Sequence, residues 1–478
     1  MGFEPVIGLE VHAQLLTETK IFCGCSTAFG RPANSNVCPV CLGLPGALPT
    51  LNNQAVEYAV RAALALGCTV QKKSIFARKN YFYPDLPKGY QISQYEAPLA
   101  LDGVVQFSDE DELHRVRITR VHMEEDAGKS IHDGFSDSDR KTHLDFNRSG
   151  VPLIEIVTEP DLRAPAAGAL FFERLRGILM AIGVNDGNME EGSLRCDANV
   201  SLRPVGRTKL GVKVEIKNLN SFRYVEKAIE YEIGRQASVL GQGADVVQET
   251  RLWDTNGDRT VSMRSKEEAH DYRYFPDPDL PPLIISSLFC ENVRKSLPEL
   301  PEVRAERFMA AYGLSRQDAY YLSADHELGE YYEVVVKASE NPKASANWIV
   351  GALARRAKVT ATPVWNIVPA EVLAELIRMV DDGTISGSIA KGVFETTADS
   401  GKSPRDIVRD GGLSQIGDID ELEVVVRQVL DANVEAVGKY RSGKEGTLGF
   451  LVGQVMRATK GKANPKLVNE LLRTLLGA

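Results

Sequence analysis

Apolar and polar residues alternate in the N-terminal segment 6–14, where Leu9 and Val11 alternate with Glu10 and His12. Because successive side chains of a β-strand point to opposite faces, this period of two predicts a strand with one apolar and one polar face. The same alternation recurs in three later segments, residues 115–122, 193–200 and 211–218. The N-terminal part of the chain is therefore predicted to contain a largely antiparallel sheet, apolar inside and polar outside.

The pattern changes after the proline-rich run 275–282, since proline lacks a backbone donor and restricts the residue before it. Beyond this run, apolar residues recur at the spacing of an α-helix, and Asn464 with Pro465 provides a cap and first turn for the last helix. A weaker interruption lies near residues 403–412. The predicted fold class is α+β, with a mixed domain over 1–294, a helical domain over 295–405 and a small helical tail over 406–478.

Composition and charge reduce the range of possible functions but do not identify one. The chain has 478 residues, of which 43% are hydrophobic, so it can bury large cores in about three domains. The net charge of −9 argues against nucleic-acid binding through overall positive charge. A chain with this net charge can still carry a local basic patch that contacts phosphates. With neither a membrane-spanning apolar run nor a signal peptide in the sequence, we expect a soluble cytosolic protein.

The polar faces of the predicted strands carry residue types suited to phosphoryl transfer. Glu124 and Glu125 end one strand, Arg195 and Asp197 share the face of another, and Lys217 lies on a third. Acidic oxygens and a histidine suit Mg²⁺, while lysine and arginine suit phosphates and developing negative charge. A solvated face of an ordinary antiparallel sheet would show the same alternation, so both interpretations stay open at this stage.

Residues 126–130 end like a P-loop, but Met123 stands where the first glycine of that motif belongs. The preceding residues are acidic and would repel phosphates. We therefore predict no P-loop, and Lys129 is interpreted as a surface lysine.

Four of the seven cysteines fall within one short Gly/Pro-rich loop: Cys23, Cys25, Cys38 and Cys41. Two close pairs of thiolates are typical of tetrahedral Zn²⁺, and a closed four-thiolate site would have a structural role. The alternative is four reduced thiols without metal. The remaining cysteines are interpreted as core residues: Cys68, Cys196 and Cys290.

The last segment is basic within an acidic chain, and its cations are Lys439, Arg441, Lys444, Arg457, Lys460, Lys462 and Lys466. Such asymmetry indicates a polyanionic partner, although a solvated helical face would look the same. Since no aromatic residues accompany these cations, contacts to the backbone or shape of folded RNA fit better than single-strand binding.

Several long motifs resemble the B subunit of the glutamyl-tRNA(Gln)/aspartyl-tRNA(Asn) amidotransferase, and the resemblance covers essentially the whole chain. The motifs are GLEVH at 8–12, LPGALP at 44–49, KNYFYPDLPKGYQISQY at 79–95, HMEEDAGKS at 122–130, and SMRSKEEAHDYRYFP at 262–276, together with the cysteine loop and residues 193–199 and 215–222.

The resemblance implies a cradle domain with the amidation site, a helical domain and a tail of the YqeY type that contacts tRNA. It implies a heterotrimer with an amidase-type glutaminase subunit and a small third subunit. ATP would phosphorylate the side-chain carboxylate of Glu on tRNA(Gln) or Asp on tRNA(Asn), and ammonia from the glutaminase would then displace phosphate.

The family's metal motif carries over onto Glu10, His12 and Glu125, with Glu124 close by. Its zinc cysteines correspond to the four cysteines of the loop. By chemical type we add Asp197, and we assign Lys217 or Arg195 to the counter-charge for the two anions that the reaction brings together.

The aromatic residues of the 262–276 motif are interpreted as packing at the domain boundary. Two other functions compete with the amidotransferase. A non-catalytic tRNA-binding scaffold would share the zinc loop and the tail, and a zinc hydrolase would need an open metal site. Sequence alone leaves the choice between Glu and Asp substrates open.

Overall fold

The computed structural model describes residues 2–109, 112–265, 272–413, 419–444, 446–459 and 461–477. It divides the chain into two compact units, Met1–Leu300 and Pro301–Ala478. The first unit contains the described strands and the second is helical, which confirms the predicted α+β class. The predicted division of the helical part near residue 405 stays a prediction.

The strands of the first unit are β1 Phe3–Gln14, β2 Thr69–Val70, β3 Lys73–Ser74, β4 Ala77–Asn80, β5 Tyr90–Ser93, β6 Ala100–Asp109, β7 Glu112–Glu125, β8 Lys129–Ile131, β9 His143–Asp145, β10 Pro152–Thr158, β11 Leu194–Pro204, β12 Val214–Leu219, β13 Glu249–Asp254, β14 Arg259–Ser265, β15 Phe275–Pro276 and β16 Leu283–Ile284.

Its helices are α1 Asn53–Ala65, α2 Pro165–Ala181, α3 Phe222–Gly241 and α4 Ser287–Lys295. The second unit contains α5 Pro301–Tyr312, α6 Arg316–Ser323, α7 His326–Ser339, α8 Pro342–Trp348, α9 Ala354–Thr360, α10 Ala370–Asp381, α11 Gly387–Ser400, α12 Pro404–Asp410, α13 Ile419–Ala432, α14 Val434–Arg441, α15 Thr447–Ala458 and α16 Pro465–Leu476. A π-helical turn over Ile349–Leu353 joins α8 to α9, and Val364–Asn366 forms a 3₁₀ turn.

A nine-stranded sheet organises the first unit, in the order β14-β13-β12-β11-β1-β10-β7-β6-β2. The pairs are antiparallel except for β12 with β13, so the largely antiparallel prediction is confirmed. A small sheet of β15, β4 and β5 lies beside β7.

Strand β1 shows why the sheet has two chemically different faces. Leu9 and Val11 are buried in the core with Phe171 and Phe172 of α2, whereas Glu10 and His12 alternate with them and point to the other face. Burying such large apolar side chains between the helices and one face stabilises the sheet. The opposite face is left for polar side chains.

The second unit has two hydrophobic cores. One is formed from α5 to α12, around Phe308 and Phe394, and the other from α13, α15 and α16, around Leu451 and Leu472. The predicted cap of the last helix is confirmed, because the side chain of Asn464 accepts a hydrogen bond from the backbone N–H of Lys466 (2.9 Å). No helix in the described part of the chain combines the length and apolar character that a membrane span requires.

Candidate functional site

The registers of three central strands bring two histidines and two glutamates together on the polar face. His12 lies opposite Glu155, and Glu155 lies opposite His122 on the next strand. One Glu155 oxygen is 3.3 Å from Nε2 of His12 and 3.5 Å from Nε2 of His122. Glu124 follows two residues after His122 and lies 3.1 Å from it. Ligand atoms of His12, Glu124 and Glu155 all lie within 4.8 Å of one another.

Both glutamates are held in the charged form. Burial would raise the pKa of Glu155, but the charge of His122 and the hydrogen bond with His12 outweigh burial and hold that pKa well below its usual range. Burial and the charge of Glu155 also oppose ionisation of Glu124, yet His122 and Lys79 lower its pKa on balance. The site therefore presents two ionised carboxylates side by side, which are the oxygen ligands that a divalent cation prefers.

Cations line the same face at its margins. Lys217 Nζ lies 2.6 Å from an oxygen of Asp197 and 3.0 Å from one of Glu215. Burial would lower the pKa of Lys217, but these two carboxylates raise it. The guanidinium of Arg195 donates to Asp126 (3.1 Å). These contacts hold the positive charges in place beside the acids.

A cleft of about 460 Å³ opens over this face. Its walls carry the acids, the cations and an aromatic ring, and they include His12, Lys79, Tyr81, Glu124, Arg195 and Lys217. An anionic substrate entering the cleft would meet positive groups on its walls. A divalent cation would meet Glu124 at the cleft wall, with the buried Glu155 within 4.8 Å of it.

Two residues of the predicted metal set, Glu10 and Glu125, lie apart from the pair of His12 and Glu155. Glu10 shares the polar face and accepts a hydrogen bond from Asn199 (2.9 Å), but it lies opposite Val157, two positions along the paired strands from His12 and Glu155. Glu125 points to the opposite side of the sheet, because it follows Glu124 directly and side chains alternate. There it pairs with Lys88 and accepts a hydrogen bond from the backbone of Ile92 (2.9 Å).

Glu125 therefore lines a separate cavity of about 190 Å³, beside Cys41. The structure does not bring it together with Glu10 and His12. Glu125 was predicted to lie beside His12. The structure places Glu124 and Glu155 there instead.

Sequence reasoning missed Glu155, His122 and Lys79. Glu155 had a usable signal, since it is the only charged residue in the apolar run 151–158, and a lone charge in a buried strand needs partners. Lys79 had no such signal. It reaches the cleft only because β4 and β5 pack beside β7.

The structure corrects the interpretation of the aromatic motif at 262–276. Tyr272 and Tyr274 pack against Tyr81 and Tyr95 beside Lys79, and not at a domain boundary. Residues 266–271 of this motif lie outside the described residues. The structure agrees with the rejection of a P-loop, because Lys129 is exposed and begins a strand instead of a helix.

The four loop cysteines converge, with all four sulfurs within 4.8 Å of one another. The sulfurs of Cys38 and Cys41 are 3.9 Å apart, close to the edge of about 3.8 Å that a tetrahedron with Zn–S bonds of 2.3 Å would have. The fully buried Lys20 donates to a sulfur of this group, Cys41 Sγ, at 3.7 Å. The donor set and its nearby cation fit a thiolate-bound Zn²⁺. Cys68 and Cys196 are buried and Cys290 is partly buried.

The predicted basic surface lies on the last helices. Arg441, Lys444, Arg457 and Lys466 are exposed, whereas Lys439, also exposed, pairs with Glu435. Lys462 is partly buried, and Lys460 lies outside the described residues.

The fold and the cleft define a sheet-based unit with a candidate catalytic cleft, followed in the chain by a helical unit. Residues 5–291 match the family model described as the GatB/GatE catalytic domain, and residues 330–476 match the model described as the GatB domain. Similar proteins include the one from Carboxydothermus hydrogenoformans, which is 53% identical over 99% of both chains. The protein from Persephonella marina is 54% identical over 100% of both chains. The protein from Solidesulfovibrio magneticus is 55% identical over 99% of both chains.

Each of these relatives is named as the B subunit of an aspartyl/glutamyl-tRNA(Asn/Gln) amidotransferase. The chain belongs to this family of amidotransferase B subunits. The resemblance found in the sequence is thereby confirmed, and so is the class of enzyme. The scaffold and zinc-hydrolase hypotheses lose their support.

Proposed function

We propose that this subunit activates the side-chain carboxylate of Glu or Asp carried on tRNA(Gln) or tRNA(Asn) and converts it to the amide. The γ-phosphoryl group of ATP is transferred to a carboxylate oxygen and ADP leaves. Ammonia then attacks the acyl carbon, inorganic phosphate leaves with the electrons of the C–O bond, and a proton passes to solvent. The observation that supports this most is that ionised Glu124 and the cations Lys79, Arg195 and Lys217 line one cleft, with ionised Glu155 buried beside Glu124.

The cleft suits Mg²⁺ because this ion is usually bound by one or two carboxylates together with substrate phosphates. Glu124, Glu155 and His12 would hold it, with Glu10 nearby on the same face. When bound, Mg²⁺ offsets the charge of the nucleotide phosphates. Ser93 Oγ (2.5 Å) and Gln91 Nε2 (3.0 Å) both donate to Glu124, which orients that carboxylate.

The lysines and arginine have a distinct task in this proposal. An aminoacyl carboxylate and ATP are both anions, so bringing them together requires positive charge in a water-poor site. Lys217 and Arg195 supply it from the nine-stranded sheet, and Lys79 supplies it from the small sheet. Asp197 positions Lys217 through their 2.6 Å contact.

Ammonia would come from an amidase-type glutaminase subunit, with a small third subunit completing a heterotrimer in the cytoplasm. The four cysteines would hold a structural Zn²⁺. The basic tail, 406–478, would contact the tRNA.

The decisive experiment uses the reconstituted heterotrimer with misacylated tRNA, ATP and free ammonia. We expect Glu124→Gln to lower amide formation and aminoacyl-dependent ATP hydrolysis at least 100-fold, about the effect of removing one key electrostatic group, while tRNA binding is retained. Glu230→Gln, at an exposed position of α3, is the matched control and should behave as wild type. If the wild-type complex never splits ATP in response to the aminoacyl group, the proposal is wrong. Loss of tRNA binding together with activity in a folded Glu124→Gln complex would support the scaffold instead.

A further inference from the structure

Four tyrosines form a continuous group of rings beside Lys79. The ring centroids of Tyr81 and Tyr272 are 6.0 Å apart, as are those of Tyr272 and Tyr274. Tyr274 and Tyr95 are stacked almost parallel, with centroids 4.2 Å apart and planes inclined by 6°. The ammonium of Lys79 lies 5.2 Å from the Tyr272 centroid. We call these four residues the tyrosine group.

The tyrosine group is connected to Glu124 of the cleft through Gln91. The hydroxyl of Tyr81 donates to the side chain of Gln91 (3.4 Å), and Gln91 donates to Glu124 (3.0 Å). Burial raises the pKa of Tyr274 to about 12, and Glu124 contributes to this rise against the opposing charge of Lys79. The phenol is therefore neutral at cellular pH and does not repel phosphates.

Packing in the core does not account for this group. Its members lie outside the hydrophobic core of the first unit as the described residues define it, and Tyr95 is 50% exposed. The neighbouring Phe82 and Tyr83 are exposed as well, by 90% and 58%. Aromatic surface of this extent next to a catalytic cleft is typical of a binding surface.

We propose that the tyrosine group binds the base at the 3′ end of the aminoacyl-tRNA by stacking, with Tyr95 as the outermost ring. This inference rests on the proposed function. The reacting carboxylate must enter the cleft while its amino acid stays esterified to the terminal ribose. From standard bond lengths, that link spans on the order of 10 Å, so the base has to lie at the rim of the cleft.

The chemistry at the rim favours RNA over a protein partner. A ring platform beside a cation is what a nucleotide needs, because its base stacks and its phosphate is attracted. Lys79 provides that cation, and burial does not neutralise it, since Glu124 and other nearby groups raise its pKa. A protein seated here would also obstruct the route of the aminoacyl group to Glu124.

The first experiment measures stacking directly, with the assembled heterotrimer and an aminoacyl-tRNA carrying 2-aminopurine as its 3′-terminal base. We expect binding to wild type to quench the fluorescence, and Tyr95→Leu to abolish most of the quenching. Tyr95→Phe keeps the ring and should restore it. Tyr321→Leu, at a partly exposed tyrosine of the helical unit, is the control.

The second experiment separates binding from chemistry. Since stacking of one base on an aromatic ring contributes about 1–3 kcal/mol, Tyr95→Leu should raise KM for aminoacyl-tRNA roughly tenfold while kcat stays within about twofold. The penalty should disappear on a tRNA whose terminal nucleotide lacks its base.

Three results would overturn the inference: an unchanged KM in Tyr95→Leu, an equal penalty on the abasic substrate, or failure of Tyr95→Leu to assemble with the other subunits, which would assign the rings to a protein contact. Failure of the proposed function would look different, because wild type itself would then show no aminoacyl-dependent ATP hydrolysis.

Discussion

At the scale of single residues, the charged side chains of Glu155 and Lys20 are buried at the two candidate sites. Glu155 is only 7% exposed and Lys20 is fully buried, although each loses hydration in the interior. Each is compensated by nearby partners, Glu155 by two histidines and Lys20 by carbonyls and a thiol. The first belongs to the cleft and the second to the cysteine loop.

Lys20 offers a residue-scale test of the cysteine loop. Its ammonium donates to the carbonyls of Asn36 (2.7 Å) and Phe146 (3.2 Å) and to Cys41 Sγ. We expect Lys20→Met to speed zinc loss to a chelator roughly tenfold, because a four-thiolate zinc site carries net negative charge. Unpaired carbonyls should also lower the free energy of unfolding by about 2 kcal/mol.

Zinc release is followed with a colorimetric chelator, and stability by urea unfolding. Lys73→Met, at an exposed position, should change neither quantity. Zinc release at the wild-type rate from Lys20→Met would show that this charge does not support the metal.

At the scale of elements, strand pairing decides which polar side chains meet. The period of two predicted that Glu10 and His12 share a face and that Arg195 and Asp197 share a face. It could not predict that Glu155 faces His12, since that depends on which strands are neighbours and on their register. The position of Glu125 follows from the same rule, because consecutive residues of a strand point to opposite sides.

The capped last helix gives an element-scale prediction. Replacing Asn464 with alanine removes the acceptor for the backbone N–H of Lys466 and should weaken the start of α16 by about 1 kcal/mol. Amide hydrogen exchange in the first turn of α16 measures this loss. Glu470→Ala, an exposed interior position of the same helix, should leave protection unchanged. Equal exchange in the two variants would contradict the role of the cap.

At the scale of the whole molecule, charge is distributed unevenly. The chain carries a net charge of −9, yet exposed cations collect on its last helices, including Arg441 and Arg457. Such a patch attracts polyanions locally and releases bound counterions when it contacts phosphates.

We therefore expect the double substitution of Arg441 and Arg457 by glutamine to weaken tRNA binding and flatten its salt dependence. The slope of log affinity against log salt should fall by roughly one to two, the change expected for one or two lost phosphate contacts. Binding is measured at several salt concentrations. The same double substitution at Arg355 and Lys358, on α9, is the control. Equal slopes in the two variants would remove the tail from the tRNA-binding surface.

The sequence by itself determined the α+β class, the polar face of β1, the cysteine set and the family. These depend on local periodicity, on spacing and on long motifs, which are properties of neighbouring positions. Only the tertiary structure decided that Glu155 and Lys79 join His12, that Glu125 lies behind the sheet, and that Tyr95 and Tyr274 stack. The physical reason is that those contacts join residues far apart in the chain, and strand order, register and packing set them.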